Sequence, residues 1–230
     1  MGAKESSRGK PKALGHLALH YRPGDSALVV RLFRSLGLRV EDFGAALEGL
    51  LVQDPEPSPL VDRGYRVFIN SEGQDGFFFA VTATSAQLAL EDALIAAPPA
   101  ALEDYRKARA VDPEASFHIG IRYESLEQVE HAIETLEAAL AEDNAMANRV
   151  TIARFKAHSS LDPAVAERMA ASPVFRPDDR DAFVENAVQV FIQTDIAAGG
   201  LLCLGQTIEL DYVFPVAAPH FPPVAVFEPL

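Results

Sequence analysis

His16-Leu-Ala-Leu-His20-Tyr21 is answered further along the chain by His118-Ile-Gly-Ile-Arg122-Tyr123, and this pair decides how the rest of the sequence is read. The second stretch starts at 118 against 16, an offset of 102 residues. Both alternate with the two-residue period of a strand, whose successive side chains leave opposite faces. Leu17, Leu19 and Tyr21 share one face and are matched by Ile119, Ile121 and Tyr123. The other face carries His16, Ala18 and His20, matched by His118, Gly120 and Arg122. A core face needs bulky apolar groups throughout, whereas a small residue between two nitrogenous polar ones suits a strand that lines a cavity.

The flanking segments repeat as well. After the first stretch Pro23-Gly24-Asp25 turns the chain, and Asp25 or Ser26 can cap a helix with Leu28, Val29, Leu32, Phe33 and Leu36 on one stripe, ended by Gly37. Leu38-Arg39-Val40 reads as extended, a Pro-rich loop covers 54–59, and strands follow at 65–70 and Phe77–Thr82 around a turn at 71–76. In the second copy Ser125 caps a helix with Gln128 at the capping-box position and Val129, Ile133, Leu136 and Leu140 on its buried stripe. Arg149-Val150 answers Arg39-Val40, Val190-Phe191-Ile192-Gln193 answers Val67-Phe68-Ile69-Asn70, and 207–214 answers Phe77–Thr82. Four matched elements in one order predict an α+β fold of two βαβββ units in tandem, forming a cupped mixed β-sheet with helices on its outer face.

The expected organisation is a disordered basic tail at 1–13, a first unit at 14–83, a helical connector at 84–114, a second unit at 115–214 and a Pro-rich C-terminal tail at 215–230. Pro98-Pro99 breaks the connector into two helices, whose Leu88, Leu90, Leu94 and Ile95 read as packing residues. The offset between copies grows to 123 residues at Phe191 against Phe68, so the second unit is 21 residues longer. The excess falls mainly in an insertion at 155–186, where Asp162-Pro163 starts a short helix; such an excursion is either a lid over a cavity or a solvent-facing decoration.

The totals exclude several classes of partner. A chain of 230 residues with 49% apolar residues can bury a sizeable core. No window approaches the ~18 consecutive apolar residues of a membrane span. A formal charge of −13 argues against nucleic acid, because phosphate backbones are held by clustered Lys and Arg. The expected partner is a small molecule, with a homodimer as the expected assembly. Cys203 is the only cysteine, so no internal disulfide forms and a reducing, cytoplasmic setting is expected.

Chemistry concentrates on three positions. In the last strand Thr207, Glu209 and Asp211 share a face opposite Ile208, Leu210, Tyr212 and Phe214. One curved sheet brings His16, His118 and Glu209 together on its concave face. Two neutral imidazoles and a carboxylate suit one divalent metal with open positions, Fe(II) first, with Zn, Mn, Ni or Co able to use the same ligands. His131, His158 and His220 read as surface residues, and Cys203 as a small buried one.

From Gly15 to Phe214 these units and ligand positions resemble the vicinal oxygen chelate superfamily, which includes glyoxalase I, methylmalonyl-CoA epimerase, extradiol ring-cleaving dioxygenases and metal-free antibiotic-binding proteins. Gly-His16-Leu-Ala-Leu-His and Phe-His118-Ile-Gly-Ile-Arg resemble the first strands of its units, whose histidine binds metal, and Thr-Ile-Glu209-Leu resembles the last, whose glutamate does likewise. The chain departs from glyoxalase I and the epimerase in one respect. Their first unit adds a Glu or Gln ligand from its last strand, which here reads Phe77-Phe-Phe-Ala-Val-Thr82, with Gln74 and Asp75 only before it.

The three-ligand set is the one ring-cleaving dioxygenases keep, so the resemblance implies an extradiol-type dioxygenase acting on a substrate with vicinal oxygens. No counterpart of the downstream His and Tyr of those enzymes stands out. In such a site His20 handles protons and Arg122 holds a carboxylate or oxyanion. Asn70 and Gln193 supply amides, and Phe68 and Phe191 apolar walls. The alternatives are a glyoxalase- or epimerase-like lyase or isomerase, and a metal-free small-ligand binding protein.

Overall fold

The computed structural model describes residues 16–42, 67–70, 77–158, 160 and 162–216, with the backbone alone at 16, 41, 42, 67–70, 77 and 78. The tail expected at 1–13 and most of that expected at 215–230 lie outside the described residues. Among those described, the fold mixes helices with two sheets.

The first half runs β1 (His16–Tyr21), α1 (Ser26–Ser35), β2 (Arg39–Asp42), β3 (Val67–Asn70) and β4 (Phe77–Thr82). Its four strands lie in the order β1-β4-β3-β2, with β1 parallel to β4 and the other pairs antiparallel. Two connector helices follow, α2 (Ser85–Ala96) and α3 (Ala100–Val111). The second half runs β5 (His118–Arg122), α4 (Leu126–Glu142), a single turn α5 (Asn144–Ala147), β6 (Val150–Lys156), α6 (Pro163–Ala170), β7 (Arg180–Asp181), β8 (Ala187–Thr194) and β9 (Gln206–Val213). Its strand order is β5-β9-β8-β6-β7, again with the first strand parallel to the last long one.

Local chemistry explains the helix ends. The Ser125 side chain accepts from Gln128 N at 3.3 Å, as the sequence predicts. Asp25 precedes α1 without capping it, because its carboxylate is taken by Arg149 of the second half at 2.7 Å. Gly37 closes the first half's helix at φ +77°, a left-handed backbone that a Cβ disfavours.

One hydrophobic core joins the halves. Leu19, Tyr21, Val29, Leu32 and Phe33 pack in the same cluster as Ile119, Ile121, Val129, Ile133, Ile208 and Leu210. Helices α1 and α4 therefore cover the apolar faces of β1, β5 and β9, and Arg31 of α1 reaches Glu142 and Asp143 at 2.8 and 3.1 Å. Strand β1 also forms an isolated antiparallel bridge with the loop between β8 and β9: His20 N donates to Ala198 O at 2.8 Å and Ala198 N returns to His20 O at 2.9 Å.

The insertion's helix is no lid. Val165, Met169, Val174 and Phe175 enter the main core, and Arg168 bonds Glu130 of α4 at 2.5 and 3.0 Å, with Ser172 joining at 2.5 Å. It thus extends the helical layer, on the side away from His118 and Glu209. The connector is bound to both halves. Glu91, with no exposed surface, accepts from Arg22 at 3.1 Å, Gln87 at 3.0 Å and Leu202 N at 2.9 Å. Leu88 packs as expected, whereas Leu90 and Ile95 are half exposed because this buried carboxylate network, not an apolar stripe, holds α2 in place. No helix among the described residues is long and apolar enough to cross a membrane.

Truncating one member of a buried ion pair leaves its partners uncompensated, at ~3–5 kcal/mol, while an exposed pair contributes about 0–1 kcal/mol. Glu91→Ala is therefore expected to cost roughly 3 kcal/mol or more in urea unfolding. Removing the exposed Asp92, which also touches Arg22, is expected to cost under about 1 kcal/mol.

Candidate metal centre

The face of the second sheet turned away from α4 can be read row by row from the strand register. His118 lies beside Thr207 and, across β9, Gln193; Gly120 lies beside Glu209 and Phe191; Arg122 lies beside Asp211 and Gln189. Alternation sends the intervening Ile119, Ile121, Ile208 and Leu210 into the core, so these polar residues must occupy the open face.

Glu114, His118 and Glu209 converge there, each offering one ligand atom within 4.8 Å of the others. A turn ahead of β5 places Glu114. Asp112 Oδ1 accepts from Ala115 N at 3.2 Å, Ser116 N and Oγ both donate to Pro113 O, and Ser116 Oγ lies 3.2 Å from Thr207 Oγ1 on β9. The same turn orients the imidazole, since His118 Nδ1 donates to Ser116 O at 2.9 Å. A carbonyl can only accept, so Nδ1 carries a proton and Nε2 is turned to the other side, 3.2 Å from Glu209 Oε2.

One amide holds both carboxylates. Buried Gln189 donates from Nε2 to Glu209 Oε1 at 2.7 Å and to Glu114 Oε2 at 3.3 Å. Its Oε1 accepts from Phe183 N at 2.8 Å and Val184 N at 3.4 Å, which fixes the orientation of the amide. Phe191, fully buried, meets the His118 ring edge-on with centroids 6.2 Å apart, and packs with Phe155 and Phe183 at 5.3 and 6.0 Å. Phe183 is 41% exposed and forms the accessible end of this aromatic group.

Burial pushes the Glu209 carboxyl above its ordinary value of 4.5, and the neighbouring Glu114 and Asp211 charges push the same way; the Gln189 hydrogen bond and His118 oppose them. A proton between Glu209 Oε2 and His118 Nε2 satisfies both. The arrangement can therefore hold either that proton or a divalent cation. The cation suits the donor set: one imidazole with its other nitrogen anchored, and two carboxylates fixed by a shared amide.

The residues expected from the sequence are distributed differently. His118 and Glu209 are together. His16 begins β1, but its side chain lies outside the described residues, as do those of Phe68 and Asn70. His20 is tied through its backbone to Ala198 and is not part of the three-residue group. The Arg122 fork is filled by Asp211, Nε to Oδ1 at 2.9 Å and Nη2 to Oδ2 at 2.7 Å, rather than left open for a substrate anion. Phe191 forms a wall behind the ligands. Gln193 donates instead to Arg109 O at 2.9 Å, anchoring α3.

Sequence reasoning missed Glu114 and Gln189. Gln189 shares the period-two face of Phe191 and Gln193 and was within its reach. Glu114 has no counterpart in the first copy and comes from the connector, where the repeat carries no signal.

Comparisons with family models, curated proteins and solved structures return no match to this chain.

A raised carboxyl pKa means that the native state binds more protons than the unfolded chain between the two values, so stability falls as pH rises through that window. In chelated protein, Glu209→Gln keeps the hydrogen bond from Gln189 and removes this loss. The variant is expected to melt above wild type at neutral pH, with the difference shrinking as pH falls below 4.5; a pH series of melting curves checks both signs.

Proposed function

We propose that this chain is a metal-dependent enzyme of the vicinal oxygen chelate type, acting on a small molecule through its oxygen atoms. In this reading the two strand-helix-strand-strand-strand runs are tandem βαβββ units, their sheets form one cup with the helices outside, and His16 adds a second imidazole to Glu114, His118 and Glu209. The convergence of those last three ligand atoms within 4.8 Å carries the proposal. The ion would be Fe(II), Mn, Zn, Ni or Co, and when bound supplies Lewis acidity to substrate oxygens.

Proton transfer falls to the chain's own carboxylates. Glu209 and Glu114 are the carboxylates at hand, and the oxygen that the ion leaves free can take a proton from a carbon beside a carbonyl and return it at a neighbouring atom. Gln189 steadies Glu209 through Oε1 and leaves Oε2 turned towards His118. Gly120 leaves room above it, since a Cβ at 120 would already stand 3.8 Å from Oε2. Glu114 supplies the additional carboxylate that the first unit's Phe77–Thr82 strand lacks. This favours a lyase or isomerase of the glyoxalase or epimerase kind over the oxygenase expected from two histidines and one glutamate.

Ring-cleaving oxygenation is the second reading. It is favoured by Phe183, the exposed end of the aromatic group it forms with Phe155 and Phe191, which offers an apolar face to an aromatic ring.

Elemental analysis of protein purified without chelators tests the centre. Near-stoichiometric divalent metal is expected in wild type and its loss in His118→Ala and Glu209→Ala, while full retention in both variants would exclude it. Gln189→Leu, which removes only the orienting amide, is expected to weaken metal binding ~10–100-fold. Oxygen uptake by the iron-loaded protein with catechols separates the two reactions, because a lyase or isomerase consumes none.

A further inference from the structure

The Glu114–His118–Glu209 group leaves unexplained a second polar concavity, on the β8 and β6 side of the same sheet. A cleft of about 250 Å³ opens where α3 crosses the ends of β6 and β8, lined among others by Arg106, Arg109, Arg149, Thr151, Gln193 and Gly205. Three arginines in so small a space are unusual in a chain of net charge −13.

Their commitments differ. Arg149 is a strut: Nε bonds Asp195 Oδ1 at 2.6 Å, Nη2 bonds Asp195 O at 3.0 Å, and Nη1 reaches Asp25 at 2.7 Å. Arg106 is half committed, to Glu103 at 2.7 Å and Cys203 O at 3.0 Å. Arg109 makes no ion pair among the described residues. Its Nη1 bonds Leu204 O, and its Nε is buried without a partner. The charged and titratable groups that act on it are Tyr105, Arg106 and Asp195, and burial lowers its pKa despite Tyr105 and Asp195. A half-buried guanidinium with one donor unpaired, and with a carbonyl and the Tyr105 ring but no carboxylate of the described residues against it, has room for an anion.

The cleft is also shaped around this side chain. Gly205 sits at φ +72°, and a Cβ there would stand 2.7 Å from both Nη1 and Nη2 of Arg109. Glycine suits that left-handed turn and leaves the guanidinium where it lies, whereas a Cβ would push it aside. Gln193 donates to Arg109 O and so fixes the helix that carries the arginine, and the exposed Thr151 adds a hydroxyl to the same cleft.

We propose that this cleft is an oxyanion-binding site, in which Arg109, supported by Arg106 and Thr151, holds the phosphate or carboxylate group of a small molecule. Planar guanidinium donors match both anions, and the volume admits a compact group rather than a polymer. No residue of the metal-ligand group lines the cleft, so the site stands whether or not a metal binds.

The test is titration of the full chain with inorganic phosphate and, separately, with malonate, followed by amide chemical shifts. Saturable shifts at Arg109, Thr151 and Gly205 are expected with at least one of the two. Saturation by phosphate alone assigns a phosphoryl ligand, by malonate alone a carboxylate, and by both the shared anion chemistry. Arg109→Gln is expected to weaken binding at least tenfold. Thr151→Glu, which adds a fixed carboxylate to the cleft at an exposed strand position, is expected to do the same if Arg109→Gln fails to fold. Shifts linear in concentration for both anions, or affinities unchanged in the folded variants, would overturn the proposal.

Discussion

The parallel pairing of β5 with β9 is the constraint on which the candidate centre depends. Both strands give their alternate residues to the core under α4, so the remaining positions have no choice of face. Within that face the register sets Gly120 beside Glu209, and His118 one step diagonal to it. A one-residue slip in either strand would bury a ligand and expose an isoleucine or leucine, at about 1.5–3 kcal/mol for each large apolar side chain moved to water. The polar face is thus specified by the hydrophobic one.

Much of this was legible because strand periodicity acts on every residue. The matched stretches at 16–21 and 118–123, the helix capped by Ser125 and the position of Glu209 opposite Ile208 and Leu210 follow from alternation and capping alone. What escaped notice follows from contacts distant in sequence. Asp25 reads as a helix cap, yet Arg149 claims its carboxylate from 124 residues away. Arg122 reads as an open anion fork, yet Asp211 stands directly opposite in the parallel register and closes it. Leu90 and Ile95 read as core, yet Glu91 between them is the buried residue. In each case the local pattern was correct about what the side chain could do, and the partner was set by topology.

The connector and the insertion show why a repeat does not by itself reveal a site. Glu114 comes from the end of the connector. The peptide N–H of Phe183, which fixes the Gln189 amide, comes from the end of the insertion. Both segments interrupt the correspondence between copies, and both supply the features that separate this face from a plain polar sheet surface. The helix of the insertion packs into the core on the far side, so its extra length does two things: it thickens the helical layer, and it returns an exposed aromatic residue, Phe183, to the mouth of the centre.

Holding two carboxylates and an imidazole within 4.8 Å sets like charges against one another, and the structure answers this in only two places. Gln189 donates to both carboxylates, and a proton can lie between Glu209 and His118. Neither removes the repulsion between Glu114 and Glu209, which with burial keeps the Glu209 carboxyl raised. On the proposed reading, an ion of charge +2 held by these ligand atoms would offset that repulsion. A cation that relieved this repulsion would displace the shared proton, coupling occupancy of the centre to pH.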